Sequence, residues 1–323
     1  MLSLLRLGSW EALLYASTPD VEGYVQQFWN FFRAFQIQRA VPNRGVSYLV
    51  IASPPVPDVQ RHPTWLPESE HTVWRSFGNA LTFAYRYFCQ ARSSDSFQLE
   101  DLRSFFTFSW PRSGYESPNN LEFSEREGES QFFALVIEDP DEYSYLRIFQ
   151  YSLFLATLWH VMHGGLCPHS AAVVRKDVGF LFLGDSLAGK TTLAQLSATV
   201  GNRVLADELN FVIRSEENGY TLAAATAFQP SSVGYTMLRP PLRGVFTIVK
   251  DDKDYLVPLS PMAMARALFD GFLQTSVGQK VPDTITGLAF QVACDIARRV
   301  PGYELHFRKS PDFWDVIDAE LGT

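Results

Sequence analysis

Along the second half of the chain, apolar residues switch between two spacings. Short apolar runs of strand length alternate with stretches whose apolar positions recur every three or four residues. Residues 145–163 are apolar on most sides and stop at Gly164-Gly165, which predicts a buried helix. Residues 169–174 read as a short strand, Arg175-Lys176-Asp177 as a turn, and residues 179–183 as a second strand closing a hairpin. A helix over 191–200 follows, with Leu193 and Leu196 on one face, and stops at Gly201-Asn202. Residues 203–206 predict another strand, ending at Asp207-Glu208. Residues 242–249 and 255–259 read as an antiparallel pair around the polar turn DDKD. Ser260-Pro261 opens a helix, with Ser as cap and Pro in the first turn. Residues 282–300 form an amphipathic helix, with Leu288, Val292 and Ile296 four residues apart. Residues 303–308 are a strand, and Ser310-Pro311 caps a last helix. This alternation predicts an α/β domain with a mixed sheet.

The first half is patterned differently. Residues 21–35 carry Tyr24, Phe28, Phe31, Phe32 and Phe35 at helical spacing, a stripe suited to core or interface packing. Residues 45–53 read as a strand ended by Pro54-Pro55, residues 54–70 as an irregular loop, and 73–91 as a helix. A further strand from Phe132 stops at Asp139-Pro140. The division falls near residue 145, with an α+β accessory or recognition domain over 1–145 and an α/β domain over 146–323. The first half carries no pattern that converts into chemistry.

Composition narrows the class. Of 323 residues, 46% are hydrophobic and 19% charged, a globular balance that excludes a disordered chain. The net charge is -8, which argues against non-specific contact with nucleic acid or an acidic membrane. The opening stretch is interrupted by Arg6 and Glu11 and lacks a basic lead, so it reads as folded structure rather than a targeting segment. The longest apolar stretch, 151–162, contains Ser152, Thr157 and His160 and is shorter than the ~20 residues that a spanning helix needs. Cys89, Cys167 and Cys294 are scattered, without metal spacing, as expected of buried thiols in a reducing, cytoplasmic setting.

One segment carries chemistry. GDSLAGKTT, residues 184–192, fits G-x-x-x-x-G-K-S/T, with Gly184, Gly189, Lys190 and Thr191 at the fixed positions. In such a loop, backbone N–H groups turn inward around phosphate oxygens, and the following helix adds its positive end. The strand VGFLFL comes directly before it and a helix directly after, the context the motif requires. Gly184, Asp185, Ser186, Leu187, Ala188, Gly189, Lys190, Thr191 and Thr192 are therefore the candidate nucleotide-binding residues. Lys190 would reach the β- and γ-phosphates, and the Thr191 hydroxyl would serve Mg²⁺.

RVLADEL supplies carboxylates at the end of a neighbouring strand, with Asp207 following Lys190 by 17 residues. Asp207 and Glu208 are adjacent, so on a strand they point in different directions, one suited to a base and the other to a metal. His169 begins the strand that hairpins into the loop strand. His62, His71, His160, His163 and His306 lack such a setting and read as structural or exposed.

HSAAVV, then GFLFLGDSLAGKTTLAQL, then RVLADEL, resembles the catalytic domain of HPr kinase/phosphorylase and its HPr-kinase-like relatives. PLRGVFTIV, LVPLSPMAMARALF and GYELHFRKSPDFWDVIDAEL are similar to the relatives more than to the regulator. The resemblance runs from about Cys167 to the C-terminus. It implies the P-loop fold shared with phosphoenolpyruvate carboxykinase, and ATP- and Mg²⁺-dependent phosphoryl transfer to a serine hydroxyl of a peptide or protein. It makes Asp207 the base, Glu208 a second acidic group, His169 an active-site neighbour, Lys190 and Thr191 the phosphate and Mg²⁺ binders, and Arg243 the Arg of an Arg-Gly signature. Glu208 stands where the family has Asp, and Pro241 where it has a Mg²⁺-serving Glu. The first half does not resemble the regulator's own N-terminal domain. Because HPr-kinase-like relatives often accompany the making of ribosomally synthesised, modified peptides, the implied acceptor is a precursor-peptide serine rather than HPr. A nucleotide-binding module without transferase activity, a small-molecule kinase and a carboxykinase-type enzyme are the rival readings. Self-association is compatible with all of them.

Overall fold

Strand β1 (Leu2–Leu7) turns through Gly8, whose φ of +64° lies in the left-handed region that glycine enters freely, and returns as β2 (Trp10–Ala16). The computed structural model describes residues 2–16, 23, 25–27, 36–37, 47–52, 105–109, 131–136, 144–215, 219–225, 238–275 and 283–322. The chain divides into two compact units, one of residues 1–6 and 11–152, the other of residues 7–10 and 153–323.

In the first unit, β3 (Gln36–Ile37), β4 (Ser47–Ala52), β5 (Phe105–Ser109) and β6 (Gln131–Val136) join the opening hairpin. They form a six-stranded sheet of order β3-β1-β2-β4-β6-β5. Strands β2, β4, β6 and β5 pair in parallel, and β1 pairs antiparallel with β3. The strands expected around 45–53 and from Phe132 are β4 and β6. Gly23 and residues 25–27 are helical. The rest of 21–35, the loop at 54–70 and the helix at 73–91 lie outside the described residues.

The helix expected at 145–163 is α1 (Ser144–Met162). Its residues Leu155, Ala156, Leu158 and Val161 have no exposed surface. It ends as the N–H of Gly165 bonds the carbonyl of His160 at 2.6 Å, with Gly164 at φ +76°. A Cβ at position 165 would lie 2.8 Å from the Val212 carbonyl oxygen, so only glycine fits. Among the described residues, no helix is long and apolar enough to cross a membrane.

The second unit continues with β7 (Ser170–Arg175), β8 (Val178–Leu183), α2 (Lys190–Thr199), β9 (Arg203–Ala206), β10 (Asn210–Arg214) and β11 (Tyr220–Ala224). Then come β12 (Leu242–Lys250), β13 (Tyr255–Pro258), α3 (Pro261–Leu273), α4 (Asp283–Arg299), β14 (Gly302–Phe307) and α5 (Phe313–Leu321). A six-stranded mixed sheet has the order β13-β14-β12-β8-β7-β9, and β10 pairs with β11 separately. The β7–β8 turn is tight because Lys176 and Asp177 both take positive φ, +49° and +64°, the pattern that matches strand twist in a two-residue hairpin.

Three parallel strands, β8, β12 and β14, form the centre. Helices cover both faces, so these strands are largely apolar. On one face, Met264, Leu268 and Phe272 of α3 and Val292 and Ile296 of α4 pack with Leu181, Leu183 and Val245. On the other, Leu193 of α2 and Trp314 and Ile317 of α5 pack with Phe180, Phe182 and Phe246. Each such side chain contributes about 1.5–3 kcal/mol on burial.

Two expectations need correction. Strands β12 and β13 do not pair with each other; β14 lies between them, parallel to β12 and antiparallel to β13. The reason is burial: Leu305 and Phe307 of β14 are buried, and Tyr255 and Val257 of β13 are 40% and 42% exposed, which suits an edge. The last helix starts at Phe313, and Ser310 Oγ accepts the N–H of Asp312 just before it.

Candidate functional site

The C-terminal ends of β8, β12 and β14 open on one edge of the sheet, the edge where ligands bind in open α/β sheets. The glycine loop 184–189 leaves β8 there. Within it the N–H of Ala188 bonds the carbonyl of Asp185 at 3.1 Å, closing a turn. Leu187 has φ +69° and Gly189 φ +116°, with Ala188 between them. Such alternation turns successive N–H groups toward a common point and makes an anion-binding concavity. The N–H of Leu193 then bonds the Gly189 carbonyl at 2.8 Å and α2 begins. Gly189 is the N-cap and offers no side chain, so the first N–H groups of α2 face the loop uncapped. Both fixed glycines are required, Gly184 by lack of space and Gly189 by its φ of +116°. A Cβ at Gly184 would come within 2.9 Å of Ala188 Cβ and 3.0 Å of Ile248 Cγ1. At Gly189 it would meet Lys250 Cε and Phe307 Cζ at 3.3 Å.

Lys190 is only 6% exposed. Its Nζ donates to the carbonyls of Gly184 at 2.6 Å and Asp185 at 3.1 Å, so it closes the loop on itself. Burial pulls its pKa below the usual lysine value, partly opposed by the carboxylates of Asp185, Glu208 and Asp207. Asp185, Ser186, Leu187 and Thr191 are exposed, and Ala188 and Thr192 are half-buried.

His169, Asp207 and Glu208 come to the same place. Asp207 and Glu208 lie in the bend after β9 rather than on a strand; Asp207 is half-buried and Glu208 exposed. His169 faces Leu209 across an isolated antiparallel bridge, and the N–H of Ser170 bonds the Glu208 carbonyl at 2.9 Å. Burial lowers the His169 pKa and the Lys190 charge lowers it further. A hydrogen bond to the Glu208 backbone and the carboxylates of Glu208 and Asp207 act the other way. His169 is thus biased toward the neutral imidazole, with a cation and two carboxylates in its field.

Sequence reasoning missed three residues that hold this arrangement. Asn210 is fully buried, and its Nδ2 donates to Ser170 O at 2.8 Å and to Ala206 O at 3.3 Å, joining the ends of β7 and β9. Gln274, at the end of α3, donates to Asp185 Oδ1 at 2.9 Å. Lys250 donates to the Leu187 carbonyl at 2.8 Å. Only Asn210 lies near the motifs in sequence, three residues after Asp207.

Arg243 is not brought to the loop. Strand β12 is parallel to β8, with Leu242 beside Gly179 and Thr247 beside Leu183, so Arg243 lies at the end of the sheet away from the loop. It is exposed, and its Nη2 donates to the Leu321 carbonyl at 3.0 Å. Pro241 sits at the same end and accepts the N–H of Gly179 at 2.8 Å.

Residues 137–321 match the family of the SynChlorMet cassette protein ScmC, more than half of the 323 residues. The chain belongs to the ScmC family. In this ScmC-family chain the matched span takes in α1, the glycine loop, the Asp207-Glu208 bend and α5. No curated protein matches it. Among solved structures it is similar to the HPr(Ser) kinase/phosphatase from Coxiella burnetii, at 11% identity and a TM-score of 0.29, over 48% of this chain and 89% of that one. Among the described residues of the ScmC-family chain, no three His, Cys, Asp or Glu side chains gather as metal ligands. A metal here would take its remaining ligands from phosphate and water.

Proposed function

We propose that this ScmC-family protein is an ATP-dependent cytoplasmic kinase that transfers the γ-phosphoryl group to a serine hydroxyl of a peptide or protein. A ribosomally synthesised precursor peptide is the favoured acceptor. The observation that carries the reading is the meeting of two features. A glycine loop with alternating left-handed positions and a buried lysine opens onto a helix N-terminus. Beside it, within the field of that lysine, lie His169, Asp207 and Glu208.

The chain's residues divide the work. The N–H groups of residues 186–190 hold phosphate oxygens, and Lys190 exchanges its loop carbonyls for the β- and γ-phosphates. The Thr191 hydroxyl and the Glu208 carboxylate would hold Mg²⁺. That donor set fits, because Mg²⁺ on a nucleotide takes one or two protein ligands and keeps phosphate and water for the rest. When bound, it neutralises charge across the β- and γ-phosphates. Asp207 accepts the proton of the serine hydroxyl as the serine oxygen bonds phosphorus and the bond to ADP breaks. Its carboxylate must come within ~2.6–3.2 Å of that hydroxyl. Neutral His169 hydrogen-bonds the Glu208 backbone without adding charge and so steadies the bend that carries Asp207. Arg243 has no part in this scheme.

The test is transfer of ³²P from γ-labelled ATP to serine-bearing peptides. Asp207→Asn should keep ATP affinity within about twofold and lose transfer by about 10²-fold or more. Transfer at the wild-type rate would remove Asp207 as the base. Nucleotide binding with no labelled product from any peptide would favour a module that uses ATP as a switch.

A further inference from the structure

Lys250 is a cation at the glycine loop that no motif marks. It is the last residue of β12, the strand parallel to β8, so the sheet itself carries it to the edge where the loop begins. Its Cε lies against Gly189, 3.3 Å from where a Cβ would sit, and its Nζ donates to the Leu187 carbonyl at 2.8 Å.

Leu187 is the residue in the loop that most needs holding. In the turn closed from Ala188 N–H to Asp185 carbonyl it occupies the third position, with φ +69°. That position calls for glycine or asparagine, because a Cβ there crowds the backbone. The side chain gives nothing back, since Leu187 is 90% exposed. A strained residue persists only where its surroundings over-determine it. Here the surroundings are the Ala188–Asp185 hydrogen bond on one side and the Lys250 ammonium on the other.

We propose that Lys250 is a positioning residue of the nucleotide site: by clamping the Leu187 carbonyl it keeps the loop's N–H groups turned inward before phosphate arrives. This rests on the nucleotide reading above and deepens it. Lys190 leaves its loop carbonyls for phosphate, whereas Lys250 stays on Leu187. The clamp acts by preorganisation, so its loss weakens binding without removing a contact to ligand.

The experiment is calorimetric titration of the full chain with ATP and, separately, with adenosine. Lys250→Met should raise the ATP Kd by about 2–10-fold, the effect of losing one solvent-exposed hydrogen bond. Adenosine affinity should stay unchanged, since adenosine has no phosphate for the loop, and Lys250→Arg should recover most of the loss. The deciding variant is Leu187→Gly combined with Lys250→Met. Glycine holds positive φ without a clamp, so the double variant should bind ATP with wild-type affinity. Wild-type ATP affinity in Lys250→Met overturns the proposal alone. A loss that Leu187→Gly does not repair also overturns it, because it makes Lys250 a direct phosphate contact. Absence of ATP binding in the wild-type chain overturns the nucleotide reading itself. Circular dichroism of each variant separates these outcomes from misfolding, and Lys250→Gln serves where Lys250→Met does not fold.

Discussion

The buried amide of Asn210 donates to the carbonyl of Ser170 at 2.8 Å, and through that bond the strand leading from His169 is fixed to the bend carrying Asp207. The same Nδ2 reaches Ala206 O at 3.3 Å, one residue before Asp207. Asn210→Ala leaves two buried carbonyls one donor short. It should lower stability by about 1–3 kcal/mol. Asn210→Asp, which cannot donate when ionised, should cost at least as much. The kinetic consequence is specific: transfer should fall while ATP affinity is kept, because the glycine loop is built on β8 and α2. Melting curves and kcat measured beside the ATP Kd check both parts. Equal losses in kcat and ATP affinity would contradict this division.

Lys190 and His169 are coupled through space, and the sign is fixed by charge. Burial is the larger cause of the lowered His169 pKa, and the Lys190 cation adds to it. Lys190→Met removes the cation, so the His169 pKa should rise toward the ordinary histidine value of about 6.5. Asp207→Asn removes a carboxylate and should lower it. A proton NMR titration of the imidazole signals reads both shifts without any nucleotide. Shifts of the same sign in the two variants would mean that the loop and the bend are not neighbours.

Much of the second unit was legible because its signals are local. The β7–β8 hairpin follows from two apolar runs around Arg175-Lys176-Asp177, and the glycine loop from its own spacing between a strand and a helix. What failed to read is non-local. The DDKD turn reads as a hairpin, since nothing in it reveals that β14, almost fifty residues later, takes the place beside β12. Resemblance alone points to Arg243, and the register of two parallel strands carries it to the far end of the sheet. The same register carries Lys250 to the loop. Its partner Leu187 is 63 positions away, and Gln274 meets Asp185 across 89. Periodicity identifies the faces and ends of elements, but not which end of one element meets which end of another.

His160 carries the pH prediction. It is 1% exposed and stacks on Phe211 at 4.3 Å between ring centres. Its Nδ1 must donate, because its partner at 2.6 Å is the Ala156 carbonyl. Nε2 is then unprotonated and accepts the N–H of Ser9 at 3.0 Å. A second proton has no partner, and burial pushes the pKa down to about 3, helped by the charges of His163 and Arg239. The folded state therefore holds His160 neutral where the unfolded chain, with a pKa near 6.5, takes up a proton. Stability from this site is fully present above about pH 6.5 and is lost as pH falls toward 3, by about 1.4 kcal/mol per pH unit. His160→Phe keeps the ring stack and cannot titrate. It should start less stable at pH 8 by about 1–3 kcal/mol, because Ser9 N–H loses its acceptor. Between pH 6 and 4 its stability should fall less steeply than that of the wild type. Urea unfolding at half-unit pH steps measures the two slopes, and parallel curves would show that some other group takes up the proton.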